Sequence, residues 1–178
     1  MLATKAPHDP NSRFVVTLLD SFTHKGPNGS HLCLVIEPMG PSVSAILNAP
    51  IEDYDPLNPQ PRRFPKDRVK RTLRQVLLAL QFLHGNGVVH GDLQSGNILF
   101  AIKDLSSVKP EVLSQTATNS RIEHLQRTDG KVDLWAPSYL AVGMPLSDFV
   151  LEGDDEIVKI IDMGGGTYLH CSVPFVSR

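Results

Sequence analysis

The sequence predicts an α+β fold. Two short runs rich in β-branched residues, 14–20 (FVVTLLD) and 31–37 (HLCLVIE), flank a cluster of turn formers. One long amphipathic helix spans about Lys66 to His84. Two further apolar runs each border a loop containing glycine and candidate chemistry-bearing residues, in VVHGDLQSGNILF (88–100) and EIVKIIDMGGGTYL (156–169).

Bulk properties bound the reading. The 178 residues suffice for one ordinary domain or two small lobes, and no repeat of fixed period is visible. With 41% hydrophobic and 20% charged residues, a soluble globular protein is expected. A formal net charge of -2 offers no electrostatic reason for nucleic acid or an anionic membrane as a direct partner. No apolar stretch approaches the roughly 20 residues of a membrane helix. The N-terminal MLATKAPHDPNSR lacks the apolar core of an export signal, so the expected location is the cytoplasm, the nucleus or both. Cys33 and Cys171 form no CxxC pair, which suits a reducing compartment and buried thiols rather than metal ligands.

The elements follow in order. HKGPNGS, between the first two apolar runs, reads as the loop of an antiparallel hairpin. EPMGPS interrupts strand character with two prolines and a glycine, and SVSAILNA reads as a short helix. A proline-rich connection, DYDPLNPQPRRFP, leads into the long helix. Val69, Leu73, Val76, Leu77, Leu80 and Leu83 recur there at spacings of three and four as one apolar stripe, and Gly85 and Gly87 end it. Arg68, Lys70, Arg71 and Arg74 read as a solvated face, with a docking surface for acidic groups as the alternative. Residues 101–155 are polar and weakly periodic. They read as a partly disordered insertion, with a short helix near Leu146–Leu151 and Trp135 packed on the main body. A strand over Ile157–Ile161 then delivers Asp162 into three glycines.

The loops carry the chemistry. Phosphoryl transfer asks a protein to position the accepting hydroxyl and to neutralise phosphate charge with metal ions. That needs a carboxylate near the hydroxyl, and oxygen ligands for magnesium on short anchored loops. HGDLQSGN has the H-x-D-x-x-x-x-N spacing of the eukaryotic protein kinase catalytic loop, and DMG stands where that family has D-F-G. NGSHLCLVIEPMG, RQVLLALQFLH and the 64 residues between Asn97 and Asp162 together look most like the SR-protein kinase group, in which an insert occupies that place.

This resemblance implies a two-lobed protein kinase-like fold, incomplete at both ends. Residues 1–40 would be an N-lobe remnant and hinge, and 41–178 a partial helical C-lobe with its insert at about 101–155. It implies ATP and Mg2+ as cofactors and Arg/Ser-rich splicing-type proteins as substrates. Asp92 would be the catalytic base, and Gln94 would stand where most Ser/Thr kinases carry a γ-phosphate-binding lysine. Asn97 and Asp162 would hold magnesium, His90 would brace the loop, and backbone groups of Glu37 and Met39 would bind the adenine ring.

Some parts of the pattern differ. Gly91 replaces the usual arginine, which implies no phosphate-sensing contact to the activation segment, and Met163 replaces phenylalanine. The 178 residues contain no G-x-G-x-x-G loop, no V-A-I-K lysine and no A-P-E, so weak activity is expected of this chain by itself. Two other readings stay open. Small-molecule kinases of the aminoglycoside or choline type use a similar H-G-D-x-x-x-x-N, and a pseudokinase scaffold would keep the fold without the reaction.

Overall fold

The structure, a computed structural model, describes residues 9–26, 29–49, 63–114, 122–131, 136–137, 139–141, 143 and 146–168. Trp135, Cys171 and most of the proline-rich connection lie outside the described residues. The chain divides into two compact units that interleave in sequence. The first comprises residues 1–17, 36–103 and 146–178, the second 18–35 and 104–145.

The larger unit is built on a three-stranded antiparallel sheet of β3 (Met39–Ser42), β5 (Ile98–Ala101) and β8 (Val158–Ile160), in that order. EPMGPS was expected to end strand structure, yet β3 forms within it. An edge position explains this: Pro41 lacks an N–H, and the register between Met39↔Ala101 and Ser42↔Leu99 is irregular, as tolerated at an edge. Ser42 then caps α1 (Val43–Leu47), its hydroxyl accepting from Ala45 N at 3.0 Å.

The long helix, α2 (Lys66–Gly85), matches its expected span, and Asn86 closes it by donating from Nδ2 to Phe82 O at 2.8 Å. Its buried face is rotated from the predicted stripe. Thr72, Val76, Ala79, Phe82 and Leu83 are buried, whereas Val69, Leu73 and Leu77 are exposed, Leu77 by 65%. Apolar residues occupy more than one face of this helix, and residues 10–14, strand β4 (Val88–Val89) and β8 cover only one of them. Arg68 also departs from the solvated face. Its guanidinium lies over the Phe64 and Phe100 rings, 4.4 and 4.8 Å from their centroids, and pairs with buried Glu156 at 2.6 Å.

Two apolar clusters form the core. Phe14, Val15, Ala79, Phe82, Leu83, Val88 and Ile160 make one; Val43, Val76, Phe100, Val150 and Val158 make the other. Residues 10–14 form a 3-10 helix initiated by Asp9, whose carboxylate accepts from Asn11 N at 2.8 Å, so Phe14, expected to open the first strand, ends this turn instead. The chain then runs parallel to β8, with Val16 N donating to Ile160 O at 3.0 Å.

In the smaller unit the hairpin strands fall later than expected on the first arm, as β1 (Leu18–Gly26) and β2 (Gly29–Ile36). Leu18, Leu19, Phe22, Leu32 and Leu34 are exposed, and Cys33 is a free, half-exposed thiol rather than a buried one. α3 (Pro110–Leu113), β6 (Ile122–His124) and β7 (Tyr139–Ala141) belong to the inserted segment, with β6 and β7 antiparallel. That segment is narrower than expected. Lys103 N donates to Phe149 O at 2.8 Å and Leu151 N to Ala101 O at 3.2 Å, so the chain departs after Lys103 and rejoins the larger unit at Leu146. The short helix expected near there is a 3-10 turn, Ser147–Phe149.

Candidate active site

The loop 90–97 is held at both ends. α2 and β4 (Val88–Val89) precede it, and β5 begins at Ile98. Inside it, buried His90 is fixed by two hydrogen bonds. Asp92 N donates to Nδ1 at 3.3 Å, so the ring proton sits on Nε2, which donates to Ile161 O at 2.8 Å. Histidine therefore serves here as a brace between the loop and the residue before Asp162. A second tie runs the other way, Ile161 N donating to Asn97 O at 3.0 Å.

These ties bring Asp92, Asn97 and the Asp162 turn together. Asn97 is buried, and its Nδ2 donates to Asp92 O at 2.9 Å and to Asp92 Oδ2 at 3.1 Å. Gln94 Nε2 donates to the same carboxylate oxygen at 3.1 Å. Two neutral donors thus orient Asp92, and no lysine or arginine among the described residues forms a salt bridge with it. The exposed Asp92 carboxylate keeps its other oxygen available for a hydroxyl donor. Gln94 acts on Asp92 in this arrangement, where a lysine would bring a charge.

Asp162 adopts a left-handed backbone, φ 63° and ψ 70°, the only non-glycine residue with positive φ among those described. Aspartate is among the residues that tolerate this region, at a cost that the surrounding contacts must offset. Its Oδ1 accepts from Gly164 N at 3.3 Å, and a 3-10 turn, Met163–Gly165, follows. β9 (Thr167–Tyr168) then pairs with β4, Val88 opposite Tyr168 and Val89 opposite Thr167.

The described residues contain no group of three His, Cys, Asp or Glu side chains suited to a metal. The donor set fits magnesium nonetheless. Asn97 directs its amide nitrogen to Asp92, which frees its carbonyl oxygen, and Asp162 offers an exposed carboxylate. Magnesium is commonly held by one or two protein oxygens, with phosphate and water completing its shell.

Glu37 and Met39 lie elsewhere in the same unit. Met39 is half-buried in β3 opposite Ala101. Glu37 N donates to Thr17 O at 3.1 Å, so this N–H is already engaged within the chain. Its carboxylate accepts from Thr17 N at 2.7 Å and from Lys159 Nζ at 2.6 and 2.7 Å. Burial pushes the pKa of Glu37 up, but the bonds from Lys159 and Thr17 outweigh it and hold the carboxyl below its ordinary value. Sequence reasoning missed this side-chain role because the partners are 122 positions apart. It also missed Gln75, which donates from Nε2 to Glu156 O at 2.8 Å and accepts from Val158 N at 2.7 Å, tying α2 to the strand that leads to Asp162.

No helix among the described residues is long and apolar enough to cross a membrane. Residues 5–165 match the protein kinase domain family. A Physarum polycephalum protein named serine/threonine-protein kinase SRPK is 31% identical over 96% of this chain and 39% of its own length. Fission yeast protein kinase dsk1 is 36% identical over 51% of this chain and 15% of its own. Budding yeast serine/threonine-protein kinase SKY1 is 32% identical over 64% and 14%. The chain therefore spans about two-fifths of the first of these relatives and less of the others. A solved kinase domain aligns over 97% of this chain and 39% of its own with a TM-score of 0.54 at 21% identity, a likeness of fold. By this family match, and with the fold to accompany it, the chain belongs to the protein kinases.

Proposed function

We propose that this chain carries the catalytic centre of an ATP-dependent serine/threonine kinase of the SR-protein kinase type, acting on Arg/Ser-rich proteins in the cytoplasm or nucleus. Residues to 40 form the N-lobe remnant and hinge of this reading, and those from 41 the beginning of the C-lobe with its insert. The observation that carries it is the double tie between the 90–97 loop and Ile161, the residue before Asp162, which supports a shared site for Asp92, Asn97 and Asp162. The names of the relatives support the substrate class.

In the reaction, Asp92 accepts a hydrogen bond from the substrate serine hydroxyl and takes its proton as the serine oxygen–γ-phosphorus bond forms and the bond from that phosphorus to the β,γ-bridging oxygen breaks, releasing ADP. Gln94 and Asn97 hold the Asp92 carboxylate in the orientation that step needs. Asn97 and Asp162 are the residues that would hold magnesium, which supplies charge neutralisation at the phosphates when bound. The Glu37 carbonyl and the Met39 backbone supply the adenine contacts. The 178 residues contain no glycine-rich loop or paired lysine to clamp the phosphates, so transfer by this chain alone is slow.

The test is thermal melting of the 178-residue chain with ADP, with and without Mg2+. A metal-dependent rise is expected, amounting to about 2.7 kcal/mol at a ligand concentration a hundredfold above Kd. Asp162→Asn should abolish the metal-dependent part. Absence of any magnesium-dependent shift in the wild-type chain overturns the reading in favour of a scaffold. Radiolabelled transfer to amino alcohols, but not to an Arg/Ser peptide, would instead point to a small-molecule kinase.

A further inference from the structure

Glycine stands at position 91, where the family usually carries arginine. Its backbone is left-handed, with φ 81°, and the Asp162 turn approaches it from the other side. A Cβ built at position 91 would lie 2.0 Å from Gly165 O, 2.6 Å from Gly165 C and 3.3 Å from Gly166 N. The obstacle is main chain, which cannot swing aside like the end of a flexible side chain. The site of any side chain at 91 is therefore already filled by the carbonyl of Gly165. Gly166 is tight as well, since a Cβ there would meet Met163 O and Val89 O, both at 2.9 Å.

Gly165 behaves differently. Its φ is not positive, and a Cβ on it would meet Asp92 Cβ at 3.5 Å, an ordinary contact. The triple glycine is thus unequal: one member offers its carbonyl, one permits close approach of the chain, and the requirement for a bare α-carbon opposite falls on Gly91. Directly downstream, β9 pairs with β4, so the turn after Asp162 is anchored on both sides of this contact.

We infer that Gly91 is a positioning residue: its bare α-carbon lets the Asp162–Gly166 turn latch, backbone on backbone, against the 90–97 loop, and this contact sets where Asp162 stands relative to Asp92 and Asn97. The latch is a matter of geometry alone; its bearing on metal binding rests on the function proposed above. It also gives position 91 a reason for glycine that is independent of any regulatory phosphate. A side chain of any kind, arginine included, must displace the turn.

Amide hydrogen exchange on the 178-residue chain tests the latch without nucleotide. In Gly91→Ala, protection of the Gly166, Thr167 and Tyr168 amides should fall about tenfold or more, while that of Val158 and Ile160 is kept. Gly165→Ala should exchange as the wild type does. Equal protection in Gly91→Ala and wild type overturns the inference, as does loss in Gly165→Ala matching that in Gly91→Ala. Should Gly91→Ala not fold, the wild-type chain decides by NMR. A nuclear Overhauser effect between a Gly91 α-proton and the Gly166 amide proton is expected, and its absence overturns the latch.

Calorimetric titration then separates this from the proposed function. Gly91→Ala should lose the magnesium-dependent part of ADP binding and keep the binding of adenosine without metal. Retention of both refutes the positioning of Asp162. A wild-type chain that shows the exchange pattern and the Overhauser effect but no magnesium-dependent ADP binding would leave the latch standing and refute the kinase reading.

Discussion

The Glu37 carboxylate holds three hydrogen bonds, two of them from the ammonium of Lys159, in a site where both side chains are largely sheltered from solvent. Bonds to an ionised acceptor contribute more than neutral ones, so Glu37→Gln should destabilise the larger unit by about 1–2 kcal/mol near neutral pH. The pH dependence follows from the direction of the shift. Because the folded carboxyl binds protons less readily than the unfolded one, its contribution is complete above the ordinary value of 4.5 and is lost as pH falls from there through the folded value. Urea melts of wild type and Glu37→Gln across that range should therefore converge on acidification. A gap that stays constant into strong acid would show that the ion pair is not its source. The same scale shows why part of the site could be read in advance. Asp92, Gln94 and Asn97 contact one another within six positions, so their spacing in the sequence encodes their geometry. The pairing of Glu37 with Lys159 has no such local signature, and glutamate in EPMG reads equally well as a solvated strand end.

Helix α2 shows what periodicity encodes and what it leaves open. Its length, its amphipathic character and its glycine-bearing end were visible, because each depends on residues within a turn or two. Which apolar side is buried depends on the partners, and those come from residues 10–14, β4 and β8. The buried face lies about one position around the helix from the predicted stripe: small Thr72 and Ala79 face inward, whereas Leu73 and Leu77 do not. Close packing against the neighbouring elements favours the small residues there. Thr72 carries a cost, since its buried hydroxyl has no hydrogen-bond partner among the described residues. Valine has nearly the same shape and no polar atom to desolvate. Thr72→Val should thus leave the fold intact and raise stability by up to about 1 kcal/mol, measured as a shift of the urea midpoint at constant slope. A clear loss of stability would mean that the hydroxyl has a bonding role. Arg68 makes the complementary point. Charge patterning placed it on a wet face, but two aromatic rings and Glu156 capture it, and Phe64 and Phe100 are recruited from opposite sides of the helix in sequence.

At the scale of the molecule, the long separation between Asn97 and Asp162 is resolved by a closure that is local in space. Strand β5 continues as Ala101–Lys103, and the returning chain at Phe149–Leu151 bonds back to it directly, so Lys103 and Phe149, on either side of this segment in sequence, are hydrogen-bonded neighbours within the larger unit. The strand pairing that matters for the site, Ile98 opposite Ile160 and Leu99 opposite Lys159, is made entirely within the larger unit. An insertion anchored this way burdens folding only through the entropy of closing its loop, which grows slowly with length. Replacing residues 104–145 by a flexible linker of about five residues shortens that loop by about three halvings, a gain of about 2 kcal/mol in closure entropy. The excised chain should therefore retain the exchange protection of Val158 and Ile160 and the bonds that hold His90 against Ile161, with stability equal to or above that of the parent. Loss of protection across β5 and β8 on excision would show that the inserted segment supports the site through contacts of its own, and that the closure at Lys103 and Leu146 is insufficient to hold Asp162 in register with Asn97.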